Sequence, residues 1–486
     1  MSRVSILSSI ILIIGFTGCR SGKDIDPNAS PVIPPGQWGM NSAPIDDRLL
    51  AFTELKTGEL DLLIEAAFER NPDLRSMAAR VQSTAANARI ARADLFPNIG
   101  FGLLGNQTQQ NFIGLPIPGA ESDVLTARFK SFGFNMNASW ELDIWGRLRR
   151  GKNAAKAEYI SAENDFIYYQ LSLAAQVAKT WAQASSAQSQ LELSVETSNN
   201  FQTTSDRIRE RFLQGLSPSL EYRLALNSSE AAQALLQQRQ EQKEASVRLL
   251  QVLIGQYPDG KLHSVSALPF PNEPVPAGLP SELLQRRPDL IAAQWRLKAA
   301  DHRLWAARKA LFPRLSLTSS TGTSTPGMKD LLNTDFTVWS VAGNLTQPLF
   351  QGGRLMAGID FSKANVQQAL SDYHSSLLRA FNEVETGLQT DHWLRKRHDH
   401  LRKAAEQSRA ALALAEDRYE SGLADLFTVL ESQRRQLNDA TQLIEVRRLL
   451  YANRIDLMLA LGGAFQSTKY QSAASISDPN LNLSPN

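Results

Sequence analysis

His392, His398 and His400 invite a metal reading. A transition-metal site needs three or four converging donors, and positions 398 and 400 fall on different faces of a helix, so no metal ion is expected. Ser, His and Asp all occur, but no nucleophile motif gathers them. No GxxxxGK[ST] loop is present to cradle a phosphate. The sequence therefore predicts neither an enzyme nor a bound cofactor. Its chemistry rests on a lone cysteine and on a few carboxylates and glycines near two long helices.

The cysteine is Cys19, and a single cysteine permits no intramolecular disulfide. It ends a segment in which Arg3 supplies a short positive region and Val4 to Phe16 an apolar stretch, followed by Thr17-Gly18. The stretch is too short to span a membrane as a helix and fits a secretory signal over 1–18. Phe16-Thr17-Gly18-Cys19 resembles the lipobox of bacterial lipoproteins, with Phe where Leu is usual. That resemblance implies cleavage before Cys19 and acylation of its thiol and new amine. Several acyl chains anchor stably where one anchors weakly. Arg20 follows in place of an Asp retention signal, which implies the outer membrane.

The 486 residues carry 51 Lys+Arg against 49 Asp+Glu, a formal net charge of +2. That balance offers no basic face for nucleic acid. Nothing after residue 18 approaches the apolar run of about 20 residues that a membrane-spanning helix needs. If the mature chain crosses a membrane, it does so with strands.

Self-comparison exposes a tandem repeat. Pro72-Asp73-Leu74 recurs as Pro288-Asp289-Leu290, and Leu95-Phe96-Pro97 as Leu311-Phe312-Pro313, both 216 positions on. Gly146-Arg147-Leu148 recurs as Gly353-Arg354-Leu355, and Gly255 as Gly462, now 207 positions on. One length change therefore lies between residues 97 and 146. The expected organisation is a lipidated extended segment at 19–57, repeat 1 at 58–255, a Pro-rich linker at 256–280, repeat 2 at 281–462 and a flexible tail at 463–486.

Each repeat reads as helix, two strands, very long helix, helix. The first helices run over 58–96 and 281–312 and stop at Pro97 and Pro313. Then the period becomes two: Phe132, Phe134, Met136, Ala138, Trp140, Leu142 and Ile144 alternate with polar residues or glycine. Strands are expected near 98–108, 130–144, 314–321 and 337–347, joined by polar loops near 105–128 and 322–336. Long helices follow at 147–214 and 354–421, then helices at 218–255 and 424–462. Leu394, Leu401, Ala405, Leu412, Ala415 and Tyr419 form a narrow heptad seam, as do Leu191, Val195, Phe201, Ile208 and Phe212. Narrow seams suit helices that touch lateral neighbours and have water on two sides. Four strands are too few for a closed membrane barrel, which needs about eight. Three chains would pool twelve.

The arrangement resembles the TolC-type outer-membrane factor family, in its lipid-anchored NodT/OprM-like branch. The residues that carry the likeness are Cys19, the repeated Pro-Asp-Leu and Leu-Phe-Pro motifs, Trp140-Glu141-Leu142-Asp143-Ile144-Trp145-Gly146-Arg147, Gln347-Pro348-Leu349-Phe350-Gln351-Gly352-Gly353-Arg354 and Arg418-Tyr419-Glu420-Ser421-Gly422-Leu423. The resemblance implies a mainly α fold with a membrane β portion. It implies a homotrimer with one twelve-stranded β-barrel in the outer membrane, continued by a helical barrel in the periplasm. It also implies an inner-membrane pump and a periplasmic adaptor as partners.

By the same resemblance Gly215, Leu216, Gly422 and Leu423 mark the periplasmic turns that meet the adaptor. Glu431, Tyr419 and Glu221 mark a periplasmic gate, whose threefold rings of like charge would favour cations. Arg147, beside Arg149, Arg150 and Lys152, puts positive charge at a helix start, against the dipole, and outer-membrane lipid phosphate is its expected partner. Trp140, Trp145 and Trp339 suit an interfacial aromatic girdle. The expected function is a passive exit duct for drugs or other small toxic compounds delivered by an RND-type pump. Alternatives are a duct for an ABC exporter or type I protein secretion, and a non-conducting lipoprotein scaffold with coiled-coil arms.

Overall fold

A computed structural model describes residues 37–39, 58–112, 125–261, 268–270 and 280–463. The signal segment, Cys19, most of the linker and the tail lie outside the described residues.

The elements run α1 (Gly58–Arg70), α2 (Pro72–Ala93), β1 (Asn98–Phe112), β2 (Leu125–Leu142), α3 (Arg147–Leu213), α4 (Ser219–Leu253), a 3-10 turn (Pro280–Glu282), α5 (Leu283–Arg286), α6 (Pro288–Lys309), β3 (Arg314–Thr323), β4 (Thr337–Thr346), α7 (Arg354–Glu420) and α8 (Leu426–Ala460). The repeat is kept to the residue. α3 and α7 each have 67 residues, α4 and α8 each 35, and α2 and α6 each 22. A 67-residue helix rises about 100 Å along its axis. Among the described residues no helix is long and apolar enough to cross a membrane.

The chain divides into two units. The first holds Ala91–Ala154 and Leu297–Asp372 among its residues, and so contains the sheet. Its strands follow one another in the order β1-β2-β3-β4, all antiparallel. β1 and β2 are longer than the alternation suggested: residues 109–112 and 125–129, outside the expected strands, are paired strand. Gly105-Asn106-Gln107-Thr108-Gln109-Gln110-Asn111 has no apolar alternation, so no period-two signal marks it. The described part of the loop between β3 and β4 is pinned inside itself. Thr323 and Thr325 are buried, and their hydroxyls donate to the Leu331 and Gly327 carbonyls. Leu297, Ala300 and Leu304 of α6 pack on Val366 of α7.

The second unit holds Val32–Ile90, Ala155–Arg296 and Tyr373–Asn486. Its main core joins Leu60, Ile64 and Ala67 of α1 to Leu173–Ala182 of α3, Leu250 of α4 and Tyr451, Ile455 and Met458 of α8. Trp181 is fully buried against Tyr451, with ring centroids 5.8 Å apart.

The single helix expected over 58–96 is two. Pro72 cannot donate to the preceding turn and disfavours helical backbone at Asn71, so the chain breaks there. Asn71 repairs both ends: its Oδ1 accepts from Leu74 N, and its Nδ2 donates to the Leu253 carbonyl at the end of α4. The second repeat breaks likewise at Arg287 before Pro288. There Arg287 Nη1 donates to the Ala460 carbonyl, the counterpart of Leu253, and the guanidinium also binds Asp289 and Glu383. Burial opposes this cation, but the two carboxylates more than offset it and keep Arg287 charged. At the same junctions Gly255 and Gly462 close on the Arg70 and Arg286 carbonyls. A Cβ there would stand 2.7 and 2.9 Å from those oxygens.

The seam of α7 is as expected: Ala405 and Ala415 are buried, and Leu394, Leu401, Leu412 and Tyr419 are half-buried between exposed neighbours. On α3 the stripe differs. Val195 is exposed, and Gln190, Ser194, Thr197, Phe201, Ser205 and Ile208 are buried at spacings of three and four. The heptad is present but four of these six residues are polar, so apolar periodicity missed it. Small hydroxyl side chains let helices approach closely and can bond back to their own helix.

Candidate functional site

In the first unit the sheet has two chemically different faces. Ile99, Phe101 and Leu103 share one face with Phe132, Phe134, Met136, Ala138, Trp140 and Leu142, with Leu315 and Leu317, and with Trp339, Val341 and Leu345. The parity of the register puts them there. Most are exposed, Trp339, Val341 and Leu345 by 70–75%. The opposite face carries Asn135, Asn137 and Ser139, with Thr318, Ser320, Ser340 and Asn344. Such an exposed apolar face meets lipid or another protein rather than water. Among the described residues β1 and β4 each leave one edge unpaired.

Arg147, Arg149 and Arg150 after β2 find partners within the chain. Arg147, expected to need a lipid phosphate, instead forms a bidentate pair with Glu141, with Nη2 2.8 Å from both oxygens. Asp143 caps α3, accepting from Leu148 N at 3.0 Å and Arg149 N at 2.8 Å. Partial burial pushes the Asp143 pKa up, but these amide bonds and the Arg149 side chain outweigh it and hold it below the usual carboxylate value. The anion at the helix start offsets the arginines that the dipole disfavours. Trp145 stacks on Phe312 at 5.2 Å and donates to the Pro313 carbonyl at 2.7 Å. Trp140 donates to the Leu95 carbonyl at 2.9 Å.

In the second unit the turns after α3 and α7 end alike. Gly215 and Gly422 take positive φ of 75° and 73°, and Leu216 N and Leu423 N reach back to the Arg211 and Arg418 carbonyls at 2.8 and 2.7 Å. This is the Schellman closure. It leaves Leu216 and Leu423 65% and 79% exposed, with Leu213, Leu220 and Phe427 also exposed. The following helices are capped differently: Asp425 accepts from Thr428 N at 2.8 Å, whereas Pro218 has no side chain able to cap.

Between these turns the Arg211 guanidinium lies over the Tyr419 ring, 5.7 Å from its centre. Tyr419 is half-buried, packed with Tyr222 against Phe201, Ile208, Leu426 and Leu430. Burial raises its pKa, Glu221 adds to the rise, and Arg211 opposes it. Tyr419, Glu221 and Arg211 thus form one cluster. Glu431 belongs to another. Its Oε2 accepts from Arg434 Nη2 at 2.7 Å, and its Oε1 from Arg435 Nε at 2.8 Å. Both bonds hold the Glu431 pKa below its ordinary value, Arg435 most strongly. Two arginines, each about three-quarters exposed, thus screen this carboxylate within its own helix. The spacings i+3 and i+4 are legible in the sequence and carry this signal. Arg207 adds a further link, to Glu420 at 3.0 Å.

His392, His398 and His400 do not converge. His398 is buried against Phe270, its ring 4.5 Å away, while His392 lies against Trp393. Among the described residues no cluster of three possible metal ligands occurs.

The chain matches the family model described as outer membrane efflux protein over residues 63–256 and again over 279–463. The chain belongs to that family. As an outer membrane efflux protein it is 29% identical over 470 residues to the outer membrane protein OprJ of Pseudomonas aeruginosa, covering 94% of this chain and 96% of OprJ. It is 31% identical over 473 residues to the toluene efflux pump outer membrane protein TtgI of Pseudomonas putida, covering 94% of this chain and 97% of TtgI. The solved structure of the outer-membrane channel OprN superposes with a TM-score of 0.80 at 26% identity, over 92% of this chain and all of that one. The two matched segments are the two repeats, and the fold is that of outer-membrane efflux channels: mainly α, with a four-stranded membrane β portion. The family is one of efflux ducts rather than enzymes.

Proposed function

We propose that this efflux protein is a homotrimer, anchored in the outer membrane through acylated Cys19. It acts as the passive exit duct of a tripartite system that clears drugs or other small toxic compounds. An RND-type inner-membrane pump and a periplasmic adaptor deliver the substrate. One observation carries the reading: an antiparallel four-stranded sheet with one exposed apolar face and two open edges leads into 67-residue helices. Lipid-exposed edges are not tolerated in a bilayer. Pooling four strands from each of three chains removes them and leaves the Asn, Ser and Thr face lining the bore.

In this reading Trp140, Trp145 and Trp339 lie in the interfacial girdle, with the Arg147–Glu141 pair just below it. Gly215, Leu216, Gly422 and Leu423 present small and apolar surface to an adaptor. Tyr419 with Glu221, and Glu431 with its two arginines, narrow the periplasmic end. The absence of any nucleotide loop in the sequence fits a duct that leaves energy coupling to the pump.

Single-channel recording of the purified, lipid-reconstituted protein tests this directly. Discrete ion-conducting steps are expected. A protein that inserts but never conducts would replace the duct with a scaffold. Accumulation of a fluorescent drug in a deletion strain is expected to rise. Unchanged drug levels with loss of a secreted protein would move the duct to a protein exporter.

A further inference from the structure

Arg147 is satisfied by Glu141, but two cations at the opposite end of β2 meet no carboxylate among the described residues. On the face that carries the apolar side chains, β2 reads Leu142, Trp140, Ala138, Met136, Phe134 and Phe132, and then Lys130 and Arg128. The ladder between β1 and β2 is unbroken from Asn98↔Ser139 to Phe112↔Leu125. No bulge shifts the alternation, so the two cations share the face of the apolar residues. Gln107 and Gln109 of β1 stand opposite them on that face. Arg128 Nε donates to Gln109 Oε1 at 2.9 Å, a neutral partner. Among the described residues of the four strands this face carries no other charge and no acid. Arg128, Lys130 and both glutamines are exposed.

The spacing puts these charges at a definite height. From Leu142 to Phe132 the strand advances ten residues, about 34 Å at about 3.4 Å each. Tilted by about 35–45°, as strands of membrane barrels are, it rises about 24–28 Å, which is the height of the apolar band. Phe132 therefore marks the rim of that band, with its ring against Gly105. Lys130 stands about 5 Å beyond the rim, inside the headgroup layer. Arg128 stands about 10 Å beyond it, at the outer limit of that layer, from which a long side chain reaches back.

The second hairpin has no such pair. Advancing β2 by 207 positions carries Lys130 to Thr337, where β4 begins, and Arg128 to Asp335. β1 and β2 extend past that level, and the extension carries the cations. The fold therefore builds a hairpin without them, so strand pairing does not require them. Two like charges two residues apart on one strand face repel each other. An anion from outside the sheet relieves that repulsion.

We infer that Arg128 and Lys130 bind the phosphate of a glycolipid headgroup in the outer leaflet of the membrane. This rests on the outer-membrane reading above, with the helices on the periplasmic side, and adds to it a lipid site on the far rim of the sheet. The planar fork of Arg128 fits two phosphate oxygens, and Lys130 adds a point charge. The amides of Gln107 and Gln109 supply donors and acceptors for sugar hydroxyls beside the phosphate. A glycerophospholipid offers a phosphate with fewer such hydroxyls, so a phosphorylated sugar is the better match. Each protomer carries one such site.

Native mass spectrometry of the full-length protein in detergent tests the site, because one spectrum reports both the assembly and the lipids it holds. The probes are lipid A bearing two phosphates, lipid A bearing one, and phosphatidylglycerol. The parent is expected to retain the doubly phosphorylated lipid A at least about ten-fold more tightly than phosphatidylglycerol, with the singly phosphorylated form between them. R128Q/K130Q is expected to lose that margin. R314Q, which removes a cation from the opposite face, is expected to hold lipid A as the parent does. Equal retention by the parent and R128Q/K130Q would overturn the site. Equal retention of lipid A and phosphatidylglycerol by the parent would overturn the glycolipid. Displacement of lipid A by excess inorganic phosphate would reduce the site to one for a free anion. Glu121 and Asp123, in the connection between β1 and β2, lie outside the described residues. E121Q/D123N is expected to bind lipid A no more tightly than the parent, and a ten-fold gain would show that those acids occupy the cations. Single chains that still carry lipid A would remove the trimer and keep the site.

Discussion

Trp140 and Gln347 stand 207 positions apart and do the same work: the indole N–H of one donates to the Leu95 carbonyl at 2.9 Å, and the amide of the other to the Leu311 carbonyl at 2.8 Å. Each ties the end of a strand to the Leu-Phe-Pro segment that starts the strand beside it. The side chains differ and the bond is kept, which makes the repeat a repeat of hydrogen bonds as much as of residues. Both bonds are exposed, so each is worth about 0.5–1.5 kcal/mol. W140F and Q347L are each expected to lower thermal stability by an amount in that range. Unequal losses, with one variant neutral, would show that only one copy needs the tie.

The glycines divide into two kinds. Gly255 and Gly462 combine positive φ with a backbone oxygen in the path of a Cβ, whereas at Gly215 and Gly422 a Cβ would meet nothing within 4 Å. G215A and G422A should therefore cost only the left-handed backbone penalty, about 1–2 kcal/mol. G255A and G462A should cost clearly more, because helix ends must also move apart. Denaturant midpoints measured on all four variants check the order.

Glu431 is held by Arg434 and Arg435 on its own helix. Its folded pKa lies below its ordinary value of 4.5. The contribution of this clamp is complete above that value and is lost as pH falls through the folded one. E431Q should remove that acid dependence, and R434Q/R435Q should leave the carboxylate unscreened. In bilayer recordings the double variant is expected to shift ion preference toward cations relative to the parent. No shift would mean that the cluster lies away from the ion path.

His398 offers a second pH test. Burial lowers its pKa, Arg447 and Arg402 lower it further, and Asp399 opposes them. A histidine depressed below its ordinary 6.5 costs nothing above that value and destabilises the fold as pH falls beneath it. The affected contact is the tilted ring contact with Phe270 in the linker between repeats. Hydrogen exchange around residues 268–270 should quicken between pH 7.5 and 5.5 in the parent and not in H398N. Equal acceleration in both would assign the effect to other groups.

Much of this architecture was legible because the repeat offsets, the alternation in β2 and the long Pro-free stretches are signals of spacing. What escaped had specific causes. The break at Asn71 had its signal in Pro72, which marks a helix start, but the Ala, Arg and Leu richness of 58–96 reads as one helix across it. The outer part of β1 is Asn and Gln, with no alternation to read. The buried stripe of α3 uses Ser and Thr where a heptad search expects leucine. At the candidate sites the residue types were visible but not their partners. Arg147 looked like a lipid ligand until Glu141 was seen to face it, and Glu431 looked like a bare acid. Positions 434 and 435 were readable at i+3 and i+4, yet only geometry showed that both arginines turn toward the same carboxylate.

The duct requires three chains sharing one bore. Light scattering combined with single-particle imaging of the detergent-extracted protein measures this most directly. The expected result is a hollow particle with threefold symmetry and a protein mass three times that of the chain. A particle that remains a single chain in detergent and in lipid would leave β1 and β4 with open edges, and would contradict the duct itself.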